Sequence, residues 1–135
     1  AYRKGDILYP TNERFHHCFN GYKFRIRFSD DSSKVVFAAN TIVYSAIQLA
    51  VYMDFSEIYL TGCDCNYTSP KKHFNHDTNE KIEGKIKLDE IGNLMLASYR
   101  AAKKYTDTHP VKIYNATRGG KLEIFPRVNL DDVVS

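Results

Sequence analysis

The stretch Asn40-Thr41-Ile42-Val43-Tyr44-Ser45-Ala46-Ile47-Gln48-Leu49-Ala50, continued by Glu57-Ile58-Tyr59-Leu60-Thr61-Gly62-Cys63-Asp64, decides the fold. A polar pair opens an apolar run with helical spacing, and a short β-forming run then ends in Gly-x-Asp. In open α/β sheets, ligands lie beyond the carboxyl ends of strands and at helix N-termini. Asn40 and Thr41 mark such a helix start and Asp64 such a strand exit. The segment is therefore a candidate nucleotide or anion site.

Working outward, the helix over about 41–53 is expected to pack through Ile42, Ala46, Leu49, Ala50 and Met53. Ser56 to Thr61 reads as a buried parallel strand. Residues 63–86 form a long polar segment, and loops of that length within a domain are mostly functional or disordered. Leu88 to Thr106 is predicted as a second helix, packed through Ile91, Leu94, Met95, Ser98, Ala101, Ala102 and Tyr105 and stopped by His109-Pro110. Val111 to Asn115 is predicted as a strand, Leu122 to Phe125 as another, and Leu130 to Val134 as one helical turn capped by Asn129. Upstream, alternation marks a strand at Tyr22 to Phe28, and Ser29 to Ser33 is a turn cluster. Lys34 to Ala38 is a short strand or an extended lead-in.

The order helix–strand–loop–helix–strand implies a right-handed crossover between two parallel neighbours. Asp64 and Thr117-Arg118-Gly119-Gly120 would then share one sheet edge. The expected fold is α/β, a Rossmann-like parallel sheet flanked by helices. It is one domain, with 1–35 an irregular lead-in and 36–126 the core.

At 135 residues the chain can bury one core. Its net charge of +3, pI near 8.7 and scattered lysines and arginines do not indicate nucleic-acid binding. No run approaches the ~20 apolar residues of a membrane span, and Ala1 to Asp6 holds no signal-peptide core. Three cysteines, an odd number without framework spacing, favour a reducing cytoplasm. The ten tyrosines are read mainly as half-buried rings with surface hydroxyls.

Several residues could carry chemistry. Asp64 can bind ribose hydroxyls or orient a nucleotide, or it can cap a turn. Thr117 to Gly120 offer backbone N–H groups, a hydroxyl and a guanidinium that binds phosphate, or simply a glycine-rich turn. His73 and His76 suit general acid–base work near neutral pH, or are solvated loop residues. Cys63 and Cys65 with His73 and His76 supply zinc-type ligands, but Cys-x-Cys is not the usual knuckle spacing and no metal site is assigned.

The run from Asn40 to Asp64, with Lys72-His73-Phe74 and Tyr114-Asn115-Ala116-Thr117-Arg118-Gly119-Gly120-Lys121-Leu122, resembles the DUF115 family. That family is named for the archaeal 6-hydroxymethylpterin diphosphokinase and is common in surface-polysaccharide loci. The first half also resembles the bacterial sialyltransferases of glycosyltransferase family 42. The resemblance covers about 40–125. It implies a cytoplasmic or membrane-peripheral glycosyltransferase acting on a nucleotide-sugar donor such as a CMP-sugar and a glycan acceptor, without a further cofactor. Thr41, Gly62, Asp64 and Tyr67 would hold the nucleotide, and His73 or His76 would be the base. The arginine that precedes the helix in those enzymes is Ala39 or Asn40 here. Their glycine-rich first strand has no counterpart in this sequence, so the chain is expected to be the C-terminal part of a larger fold. Alternatives are a pterin diphosphokinase-like phosphotransferase requiring Mg²⁺, for which Asp64 and Asp77 are the obvious carboxylates, and a non-catalytic binding module. Homo-oligomerisation stays open.

Overall fold

In the computed structural model, residues 11–12, 26–39, 41–66 and 88–135 are described. Their elements run β1 (Thr11–Asn12), β2 (Val36–Phe37), α1 (Ile42–Tyr52), β3 (Glu57–Leu60), α2 (Leu88–Thr106), β4 (Lys112–Asn115) and α3 (Leu130–Val134). β1 pairs in parallel with β2, and β3 in parallel with β4, as two separate two-stranded sheets with helices between and around them. The lead-in therefore contributes a strand, and the parallel pairing of β3 with β4 is the one expected from the helix between them.

The register sets Glu57 against Lys112, Ile58 against Ile113, Tyr59 against Tyr114 and Leu60 against Asn115. Side chains alternate across a strand, so Ile58, Leu60, Ile113 and Asn115 share one face. That face meets Tyr44, Ile47, Tyr99, Ala102, Leu122 and Phe125 in a single core. On the other face Tyr59 and Tyr114 stack with centroids 5.1 Å apart. β3 is less buried than its composition suggests: Glu57 is exposed, Ile58 and Tyr59 are half-buried, and Leu60 is buried.

α1 forms where expected but presents the opposite face. Tyr44, Ser45, Ile47 and Gln48 are buried, whereas Ile42 is 84% and Met53 63% exposed. The reason is polar. Gln48 is 1% exposed; its Oε1 accepts from the Ser29 and Phe37 N–H groups, and its Nε2 donates to the Phe37 and Tyr44 carbonyls. Tyr44 donates its hydroxyl proton to the Arg27 carbonyl at 2.8 Å. These bonds orient a helix whose apolar residues run all the way round, so hydrophobic spacing alone did not select the face.

α2 spans the predicted range. Ser98 and Ala102 are buried as expected, but Tyr99, one position off the predicted stripe, is the large residue of that face at 1% exposure. The strand expected at Leu122 to Phe125 is irregular. Leu122 and Phe125 are both buried three residues apart, which strand alternation forbids, and the Leu122 carbonyl is taken by the Asn115 side chain at 2.7 Å. Chain pairing resumes only at the Asn115–Arg127 bridge. α3 is capped by Asn129, whose side chain accepts from the Asp131 N–H. Of the strand expected over 22–28, residues 22–25 lie outside the described residues and Ile26 to Phe28 carry no regular structure.

Candidate functional site

The carboxyl ends of β3 and β4 meet as their parallel register requires. Past Leu60, the Cys63 N–H donates to the Thr117 hydroxyl at 3.0 Å, and the Thr117 hydroxyl donates to the Leu60 carbonyl at 3.4 Å. Thr117 is itself held by Asn115, which is fully buried and whose Oδ1 accepts from the Thr117 N–H at 2.9 Å. The Lys121 N–H donates to the Asp64 backbone carbonyl at 2.6 Å. Asp64 and the 117–120 turn thus stand side by side, as the crossover implied.

Glycine serves this contact directly at one position. Gly120 has φ +80°, and a β-carbon there would lie 2.6 Å from the Asp64 Cα and carbonyl oxygen. Gly119, at φ +74°, would meet nothing within 4 Å. The backbone that approaches Gly120 is therefore that of Asp64.

The turn is clasped from below by Arg127, which the sequence did not single out. Its guanidinium donates to the carbonyls of Thr117 (3.0 Å), Gly119 (2.8 Å) and Gly120 (3.3 Å) while binding both Glu123 carboxylate oxygens. The Arg127 guanidinium in turn holds the Glu123 carboxyl below its ordinary range. Among the described residues, the N–H groups of Arg118, Gly119 and Gly120 meet no acceptor. Successive unengaged N–H groups in a turn form an anion-binding concavity. The Arg118 side chain points into solvent, with a 3.4 Å contact to Asp131, both groups being well exposed.

Thr41 is the N-cap of α1, and its hydroxyl accepts from the Val43 N–H at 3.3 Å. Tyr99 joins this helix start to the strand exit, because its hydroxyl is a hydrogen-bonding partner of both Thr41 and the Cys63 thiol. The helical stripe Met95, Ser98, Tyr99, Ala102, Thr106 would have found Tyr99. Arg127 has no comparable local signal. Asn40, Tyr67, His73 and His76 lie outside the described residues, so the structure brings together Thr41, Gly62, Asp64 and Thr117 to Gly120 of the predicted set. Among the described residues no group of three His, Cys, Asp or Glu side chains is placed to hold a metal. Nor is any described helix long and apolar enough to cross a membrane. A cleft of about 650 Å³ lined by Glu57, His109, Lys112 and Tyr114 lies at the amino ends of the strands and includes none of the candidate residues.

Burial controls the acid–base behaviour of the thiols. Desolvation pushes the Cys63 thiol up, with the neighbouring Asp64 adding to it, and pushes Cys65 up to about 11. Desolvation also raises the Tyr44 and Tyr99 hydroxyls, Tyr99 further through Cys63. Each group ionises more readily in the unfolded chain, so the folded state holds more protons at alkaline pH. Stability is then fully present below the ordinary thiol value of 9.0 and falls as pH rises toward 11. Chemical denaturation between pH 8 and 11 should show that decline. Site-resolved alkylation at neutral pH should be slow, with half-buried Cys63 modified before buried Cys65.

No family model matches this chain, and no curated protein or solved structure shows significant similarity to it.

Proposed function

We propose that the carboxyl edge of β3 and β4 binds the phosphate-bearing part of a nucleotide-activated sugar. On this reading the chain is part of a Rossmann-like, sialyltransferase-like glycosyltransferase. One observation carries it: three consecutive unengaged N–H groups at Arg118, Gly119 and Gly120 sit directly against Asp64. N–H groups and a guanidinium suit phosphate oxygens, while a carboxylate beside them suits ribose hydroxyls. The Arg118–Asp131 contact is exposed and long, so exchanging it for a phosphate costs little.

In the transfer step, His73 or His76 takes the proton of the acceptor hydroxyl, and that oxygen attacks the anomeric carbon. The bond from the anomeric carbon to the phosphate oxygen breaks, and the nucleotide leaves with the electron pair. Arg118 and the turn N–H groups stabilise the charge that develops on it. Thr41, Gly62, Asp64 and Tyr67 hold the nucleotide.

Isothermal titration with CMP, CMP-sugars and UDP-sugars tests the reading. Binding should weaken about ten-fold in Arg118→Ala, the loss of one charge-assisted contact, and also in Asp64→Asn. A chain that binds none of the panel overturns the proposal. Binding of ATP only with Mg²⁺ would replace it with phosphoryl transfer.

A further inference from the structure

α1 carries no Asp, Glu, Lys or Arg over its eleven residues, Ile42 to Tyr52. A helix on the surface of a globular protein ordinarily pairs one apolar stripe with a charged face, and a helix apolar all round is covered all round. The buried side of α1, with Tyr44, Ile47 and Gln48, faces the core. The other side carries Ile42, Ala46, Leu49 and Met53, at the i, i+4, i+7, i+11 spacing of a single stripe. Ile42 is 84% exposed and Met53 63%, and Tyr52 (47%) and Phe55 (53%) extend the patch. Asp54, at φ +64°, turns the chain after the helix. Scattered exposed apolar residues need no account, but a continuous apolar stripe along a whole helix marks an interaction surface.

We propose that this face is a homodimer interface in which α1 packs antiparallel against α1 of a second copy. The stripe is symmetric about its own midpoint. Ile42 and Met53 close the two ends and Ala46 and Leu49 lie inside them at equal distances from the centre. Reversing the helix therefore sets Ile42 against Met53 of the second copy and Leu49 into the space above its Ala46. A two-fold interface requires such self-complementarity. The stripe bears no charge, so two copies meet without like-charge repulsion. At about 150–250 Å² per large side chain, the exposed fractions of Ile42, Tyr52, Met53 and Phe55 amount to roughly 400–500 Å² per copy. Two copies bury roughly 1,000 Å² with Ala46 and Leu49 included, which reaches the lower range of specific interfaces. The pairing also brings the carboxyl end of the second copy's α1 beside Thr41, at the edge of the candidate site.

Sedimentation equilibrium of the chain over a dilution series tests this. The expected result is twice the 15.6 kDa chain mass. Ile42→Glu and Met53→Lys each place a charge in the stripe and should each give the single-chain mass, with unchanged circular dichroism because both sites are exposed. Mixing the two variants should restore the doubled mass, since antiparallel pairing sets Glu at 42 against Lys at 53. A wild-type chain at single mass throughout overturns the proposal, as does a doubled mass that survives both substitutions. Failure of the mixture to restore the doubled mass overturns the antiparallel arrangement.

Discussion

Replacing Gln48 with leucine is expected to remove most of the stability of this protein. The side chain is 1% exposed and forms four hydrogen bonds, accepting from the Ser29 and Phe37 N–H groups and donating to the Phe37 and Tyr44 carbonyls. Leucine preserves the volume but leaves two buried N–H groups and the Phe37 carbonyl without these partners. Each buried polar group left unpaired costs about 1–3 kcal/mol, so the total is roughly 3–6 kcal/mol. A domain has about 5–15 kcal/mol of stability in all. The urea midpoint followed by far-ultraviolet circular dichroism should fall steeply, or the chain should be unfolded without denaturant. Ser32→Ala is the comparison, because it removes one bond to the same residue, from the Ser32 hydroxyl to the Gln48 carbonyl. Its cost should be about 1 kcal/mol. Equal and small losses in both variants would show that Gln48 does not organise the packing of α1 against β2.

Gly120→Ala should be the second large effect, and it should separate sharply from Gly119→Ala. Both glycines have positive φ, which for alanine costs about 1–2 kcal/mol. At Gly119 that is the whole cost, since a β-carbon there meets open space. At Gly120 the new methyl would lie 2.6 Å from the backbone of Asp64, and no flexible side chain is there to yield. Either the β3 exit or the 117–120 turn must move, which brings the expected loss to about 3 kcal/mol or more. Hydrogen exchange should show the Lys121 amide losing its bond to Asp64 in Gly120→Ala alone. Nucleotide binding, where it exists, should fall in the same variant. Equal destabilisation by the two substitutions would mean that backbone conformation, not the contact with Asp64, sets the requirement for glycine.

The shared edge at Asp64 and Thr117 was legible because it follows from topology. Two strands joined through a helix lie parallel, and parallel neighbours end on the same side. The caps at Thr41 and Asn129 were legible for a related reason, since each is satisfied within two residues. Tyr99 was nearly legible, one position off the chosen stripe. Arg127 was not. It closes on carbonyls eight and ten residues back, and only the path of the irregular 122–126 segment brings it there. The strand expected at Leu122 to Phe125 failed on the same segment, because the composition of a short apolar run does not reveal that its first and last residues both face the core.

By itself, the sequence determined the extents of α1, α2 and β4, the two helix caps and the parallel β3–β4 pairing. Helical periodicity, capping chemistry and crossover topology depend on residues close together in the chain or on the order of elements. Only the tertiary structure decided which face of α1 is buried, that Tyr99 joins Thr41 to Cys63, and that Gly120 must be glycine to pass Asp64. Those outcomes depend on contacts such as the bond between Cys63 and Thr117, 54 residues apart, and of Gln48 with Ser29, 19 apart. In α1 the apolar residues run round the whole helix, so local hydrophobicity left two faces equivalent. The polar bonds of Gln48 and Tyr44 broke that tie in favour of the core side.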